Sequence, residues 1–482
     1  MHRTRRRVLA TLLVALLAGG GVKLAAADTR LPDAARSGER QAVFDLLHQK
    51  VDVDLAGADG TTALHWAAYR DDKDMAARLI EAGAHVNLAN RYGVTPLALA
   101  STNGNLEMVT LLLAAGADAN LAPRGEPVIM TAARTGKVEV VEALLAHGAD
   151  VYAADEWRGQ TALMWAAVEN HADVVRALLK SHADVYARSN QSYTALLFAA
   201  RQGHLEVARM LVDAGADVND VAPNSTSVLA LAIENLRFDV ARFLLDQGAN
   251  PNARNRQGET SLHAAVRARA PAGLRRRPLS DADSLELVER LLSYGGDPDA
   301  RTPKAPRITD EMVNAALRPA IDNILNLGGA TPFLLAAESA DVDAMRVLLD
   351  YGADPRLATY ENTTAAMVAA GVGFVEGRAR VRPEAEALEA VKLAVEAGVD
   401  VGAANEHGQT AVHGAVYRAA NLIIQFLAEA GASIDVKDEL GRTPLQLAER
   451  GFNQVSSVIR RDNAAALLRQ MTVSGPSGRS AR

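Results

Sequence analysis

Gly60-Thr61-Thr62-Ala63-Leu64-His65-Trp66-Ala67-Ala68 is matched, 33 residues on, by Gly93-Val94-Thr95-Pro96-Leu97-Ala98-Leu99-Ala100. The same element returns at Thr161, Thr194, Ser227 and Thr260, with a weaker copy at Pro127. After a disturbed stretch it returns at Thr331, Thr364, Thr410 and Thr443. A second element trails each start, as in Ala82-Gly83-Ala84, Ala115-Gly116-Ala117-Asp118, His147-Gly148-Ala149-Asp150, Ala214-Gly215-Ala216-Asp217 and Tyr351-Gly352-Ala353-Asp354. Thr62 precedes Gly83 by 21 residues, and Thr410 precedes Gly431 by the same distance. A motif written this often at one spacing is a structural unit too small to bury its own apolar face; stacked copies supply the core.

Each copy reads as two helices and a turn. Thr95 supplies a hydroxyl to cap the first helix, and Pro96 stands where no amide hydrogen is needed; the pair recurs at Thr331-Pro332 and Thr443-Pro444. The paired alanines, such as Ala67-Ala68 and Ala199-Ala200, let neighbouring helices approach closely. Leu205, Val207, Ala208, Leu211 and Val212 recur at helical spacing in the second helix. Gly215 can then adopt the left-handed conformation that ends it.

This 33-residue period, with its Thr-Pro-Leu-His-x-Ala signature, resembles the ankyrin repeat across about residues 31–470. The resemblance implies an all-α solenoid of about 11–12 helix-turn-helix units with short β-hairpin fingers. The expected organisation is an N-terminal capping repeat at 31–59, repeats over 60–300 with an insertion near 269–283, and an inserted segment with a short helix at 301–326. Repeats resume over 327–442 with an insertion near 373–386, then a C-terminal capping repeat spans 443–470 and a disordered tail 471–482. The interruptions also resemble those of a set of exported bacterial ankyrin-repeat proteins, to which no activity attaches.

Ahead of the repeats, residues 1–27 combine Arg3, Arg5, Arg6 and Arg7 with an apolar run from Val8 to Ala18 and an Ala25-Ala26-Ala27 end. These are the three parts of a secretory signal, with cleavage expected after Ala27. The apolar run is too short to span a bilayer. Thr4-Arg5-Arg6-Arg7-Val8-Leu9 also resembles the twin-arginine export motif, so both that route and general secretion stay open, with a periplasmic or secreted destination. No later apolar run is long enough to span a membrane, so no stable membrane insertion is expected once the signal is gone.

Of the 482 residues, 49% are hydrophobic and 23% charged, which is ordinary globular composition. A net charge of −7 argues against a general nucleic-acid partner. Cysteine is absent, which excludes disulfides, thiolate metal sites, a cysteine nucleophile and a lipoprotein anchor.

The chain offers little chemistry. His65, His263 and His413 occupy one slot of the repeat, and most of the other histidines fall at helix ends or finger turns. No phosphate-binding loop, zinc-protease helix or nucleophile elbow occurs. Gly371-Val372-Gly373 follows a helix rather than a strand, which does not fit a phosphate cradle. No catalytic residue, metal ligand or cofactor is therefore assigned.

The ankyrin resemblance places variable contact residues at the finger tips and just after the paired alanines. Here these are Tyr69, Arg70, Arg91, Tyr92, Trp157, Arg158, Tyr193, Arg201, Arg256, Tyr360, Tyr417 and Arg418. Tyr, Trp and Arg dominate interface hot spots, so the expected partner is a protein on the concave finger and inner-helix face, with identity and oligomeric state open. Two alternatives remain at this stage. One is an enzyme or enzyme accessory with a site on the inserted segments. The other is an anion or cell-envelope binder using the basic stretch 267–277, with Arg275, Arg276 and Arg277 at its centre.

Overall fold

Threonine hydroxyls start the first helix of most repeats. Thr95 Oγ1 accepts from the Ala98 amide at 3.3 Å, and Thr331 Oγ1 from Leu334 at 3.2 Å, with proline at the first helical position of both helices. Thr331 is buried. Replacing it by alanine should cost about 1 kcal/mol of stability, read as a lower urea midpoint. An unchanged midpoint would show that the cap is idle.

The computed structural model describes residues 28–269, 281–304, 323, 325–374, 383–454 and 457–473. The chain divides into two units, Met1–Asp118 and Ala119–Arg482. The first carries α1 (Arg30–Ser37), α2 (Arg40–His48), α3 (Ala63–Tyr69), α4 (Lys73–Glu81), α5 (Pro96–Asn103) and α6 (Leu106–Ala114). Within it α1, α3 and α5 pack as one row and α2, α4 and α6 as another. Ala67, Ala68, Met75, Leu79, Met108 and Leu112 fill the space between, all fully buried.

The second unit repeats the plan. Its first helices are α7 (Val128–Thr135), α9 (Ala162–Val168), α11 (Ala195–Gln202), α13 (Val228–Glu234), α15 (Ser261–Arg269), α17 (Pro332–Glu338), α19 (Ala365–Ala370), α21 (Ala411–Arg418) and α23 (Pro444–Arg450). Its second helices are α8 (Val138–Ala146), α10 (Ala172–Lys180), α12 (Leu205–Asp213), α14 (Phe238–Asp246), α16 (Asp281–Ser293), α18 (Val342–Asp350), α20 (Glu384–Glu396), α22 (Asn421–Glu429) and α24 (Asp462–Val473). Each helix packs on the next of its own row, so α15 reaches α17 and α16 reaches α18 in spite of the long connection between them.

The fingers are reduced versions of the expected hairpins. Single antiparallel bridges close them at Ala56–Thr62, Ala154–Thr161, Val221–Ser227 and Ala404–Thr410. Successive tips are tied by backbone bonds: Arg91 N–H donates to Asp59 O at 2.8 Å in the first unit. In the second unit Arg256 donates to Asn224 O, Tyr360 to Gly328 O and Glu406 to Glu361 O.

The helices on either side of the inserted stretches pack on one another. Thr302 and Ala330 close the neck of the second insertion, with Thr302 N–H donating to Ala330 O at 3.1 Å and Ala330 N–H to Thr302 Oγ1 at 3.0 Å. Asn323 is buried and donates to the carbonyls of Gly371 and Phe374, while accepting from Gly373 N–H at 2.8 Å. The second and third insertions therefore meet at the end of α19. The helix expected within 301–326, and most of the 269–283 and 373–386 stretches, fall outside the described residues.

The C-terminal repeat departs from the helix-turn-helix expected there. A two-stranded antiparallel hairpin, β1 (Phe452–Gln454) and β2 (Ser457–Ile459), separates α23 from α24. Helix α24 also continues to Val473, three residues into the segment read as a tail.

Candidate partner-binding surface

Asparagine and aspartate side chains shape the finger tips. In the first unit Asn90 Oδ1 accepts from the amides of Tyr92 and Val94, both at 3.0 Å, and so holds Arg91 and Tyr92 on an exposed tip. Tyr69 and Arg70 end α3 and are exposed. The Tyr69 ring meets Trp66 edge-on at 5.8 Å, and the Arg36 guanidinium lies 5.6 Å over the other aromatic of that pair, Trp66. Arg70 donates to the Arg36 carbonyl at 3.1 Å.

In the second unit Asp155 does the same work at a turn one residue longer. Its Oδ1 accepts from the amides of Trp157 and Arg158, and Oδ2 from Gln160 at 3.0 Å. Trp157 is left 60% exposed, with Arg158 beside it in solvent. Arg201, at the end of α11, lies 5.7 Å from the Tyr193 ring and 5.6 Å from Phe198. A finger residue and a helix end thus form one half-buried cation–π cluster. Arg256 and Tyr360 are exposed, and Arg301 covers the Tyr360 ring at 4.5 Å.

Two residues of the expected surface belong elsewhere. Tyr417 is fully buried: its ring packs edge-on against Phe452 at 4.8 Å, and its hydroxyl accepts from Gln409 at 3.3 Å. It is a core residue covered by the hairpin that the C-terminal repeat inserts. Arg418 is half-buried over Phe374, and burial pushes its guanidinium pKa down from the ordinary value. The basic stretch 267–277 is thinned as well. Arg267 pairs with Glu259 at 2.9 Å and Arg269 is buried against Asp341, while Arg275, Arg276 and Arg277 lie outside the described residues.

A sequence model for ankyrin repeats in three copies matches residues 31–123 and 129–222. A model for many copies matches 228–271, and a single-repeat model matches 328–357. Together they take in more than half of the chain. The chain belongs to the ankyrin-repeat family. Among solved structures, the human ASB11 ankyrin repeat domain is 32% identical, with a TM-score of 0.41, covering 46% of this chain and 98% of its own. No curated protein matches. Ankyrin repeats generally mediate protein–protein interaction, and typically without catalysis.

Three histidines of this ankyrin chain, in one slot of the repeat, serve its packing. His65 Nδ1 accepts from Thr62 N–H at 3.2 Å while Nε2–H donates to Val94 O at 2.9 Å, a tautomer fixed by these partners. His263 and His413 repeat the arrangement, reaching Ala330 O and Arg442 O of the following repeats. Burial holds all three below the usual imidazole range, His263 at about 4. Among the described residues no group of three His, Asp or Glu side chains converges as a metal ion would need. Among them, too, no helix is long and apolar enough to cross a membrane.

Reading by repeat slot missed some of the exposed aromatics. Tyr152, Tyr186, Tyr294 and Tyr351 all stand in solvent. Their sequence slots are second-helix ends and the turns that follow, outside the finger tips and first-helix ends where contact residues are expected. The signal available was residue type, since Tyr152 and Tyr186 stand where other repeats carry Asn87, Asn120, Asn219 and Asn252.

Proposed function

We propose that the chain is an exported, non-catalytic scaffold that grips a partner protein through its finger tips and the ends of its first helices. The observation that carries this reading is Trp157, a large ring held out in solvent by a turn whose carboxylate is fully engaged in presenting it. The Arg201–Tyr193–Phe198 cluster and, in the first unit, Tyr69, Arg91 and Tyr92 supply the same residue types. Rigid aromatic area and planar cationic groups carry most of the binding energy in protein interfaces. Export rests on the N-terminal signal pattern, and either secretory route delivers the scaffold outside the cytoplasm.

Trp157→Ala is expected to weaken partner binding by about 2 kcal/mol or more, roughly 30-fold, with folding unchanged. Titration calorimetry against the partner recovered by crosslinking reads the loss. Glu142→Ala, on the exposed face of α8, serves as control. Equal affinity for the wild type and Trp157→Ala would remove this surface from contention.

A further inference from the structure

A ladder of side-chain bonds runs along the turns that follow the second helices. In the first unit Asn87 Nδ2 donates to Gly116 O at 3.1 Å while its Oδ1 accepts from Asp118 N–H at 2.8 Å. In the second unit Asn120 joins Gly148 O and Asp150 N–H in the same way, at 2.9 and 2.7 Å. Asn252 does so with Gly295 O and Asp297 N–H, at 2.7 and 2.8 Å. Each rung is one primary carboxamide, which donates to one turn carbonyl and accepts from the amide two residues on.

Tyrosine replaces asparagine on two consecutive rungs of the second unit. Tyr186 makes half a rung, its hydroxyl donating to Gly215 O at 2.8 Å. Tyr152 makes none. The pair it faces is the His182 carbonyl and the Asp184 amide, and among the described residues neither has a hydrogen-bond partner. His182 keeps the left-handed backbone of the glycine it replaces, with φ at 64° against 81° for Gly148, so the carbonyl and amide retain their setting. The two rings flank a groove of about 420 Å³, floored by Leu179, Ala183, Val185 and Ala214. Tyr152 is 60% exposed and Tyr186 63%. Arg356 and Gly402 occupy the corresponding slots further along, and neither supplies an aromatic wall.

We propose that this open rung binds the side-chain carboxamide of an Asn or Gln on a partner polypeptide, seated between Tyr152 and Tyr186. The ligand's N–H donates to His182 O and its carbonyl accepts from Asp184 N–H, the two bonds that Asn120 and Asn252 make from within the chain. A carboxylate cannot donate to His182 O and meets the Asp184 side chain, whereas an ammonium cannot accept from the amide. The tyrosine rings add stacking area and keep water from the bonds. This site lies on the turns and is independent of the finger surface.

The test is selection of displayed hexapeptides on the full chain, with counter-selection on Tyr152→Asn, which restores the internal rung. The recovered peptides are expected to share one Asn or Gln. Changing that residue to Asp or Leu in a synthetic peptide should weaken binding at least tenfold, as should Tyr152→Asn. Amide hydrogen exchange supplies the second measurement. The Asp184 amide should gain protection in the wild type on adding the peptide, and in Tyr152→Asn without it. Failure to recover peptides, a shared acidic or apolar residue instead, or binding that survives Tyr152→Asn in a folded variant would each overturn the proposal.

Discussion

Replacing Asp341 by alanine is expected to destabilise the second unit by about 3–5 kcal/mol, the cost of leaving a buried charge without its partner. Asp341 and Arg269 have side chains only 1% and 2% exposed. Arg269 Nε donates to Oδ2 at 2.7 Å and a terminal nitrogen to Oδ1 at 3.0 Å, a two-pronged pairing in which both carboxylate oxygens are used. The other terminal nitrogen donates to Ser284 Oγ at 2.8 Å. Asp341 also caps α18, its Oδ1 accepting from Ala344 N–H at 3.3 Å. One carboxylate therefore fastens the end of α15 and the beginning of α18, and through Arg269 also α16, on either side of the long inserted connection. Asp341→Asn keeps the cap and loses the charge, so it should fall between the wild type and alanine. Urea unfolding with an unchanged slope reads these differences. A shift below about 1 kcal/mol for Asp341→Ala would place the pair in solvent rather than in the core.

Acid should weaken the stack through its buried histidines. An unfolded imidazole titrates near 6.5, whereas burial holds His263 at about 4 and keeps His65 and His413 low as well. Protonation would also set an Nδ1–H against the threonine N–H that now donates to it. Between these two values the unfolded chain binds the proton and the folded chain does not. Their stabilisation is thus complete above about pH 6.5 and is lost as the pH falls toward 4, by about 3 kcal/mol for His263 alone. His263→Gln isolates this contribution, because the chain already uses glutamine in that slot: Gln446 Oε1 accepts from Thr443 N–H at 3.1 Å. The variant should lose less stability than the wild type between about pH 7.5 and 4.5 in urea titrations. Parallel losses would mean that His263 is not neutral and buried.

The repeating Thr-x-Leu-His slots made the helices legible because each copy solves the same local problem. A hydroxyl caps, small residues let helices close, and a histidine ties one repeat to the next finger. Arg269 shows where that reading stops. In sequence it belongs to a run of arginines, and its partner Asp341 lies 72 residues on, beyond two inserted stretches. Tyr417 fails for a related reason. Its slot faces outward only if the following repeat is ordinary, and here β1 places Phe452 upon its ring. Trp157 and Tyr69 were legible as surface residues because nothing beyond their own repeats decides their exposure. Tyr152 and Tyr186 escaped notice because a turn slot gave no reason to ask what the usual asparagine does there.

The most direct measurement is site-specific photocrosslinking in living cells, with the crosslinker placed in turn at Arg158 on a finger tip and at Glu142 on the exposed face of α8. A partner gripped by the fingers predicts one discrete protein adduct from position 158, found outside the cytoplasm, and none from position 142. Adducts of equal yield from both positions, or from 142 alone, would contradict it.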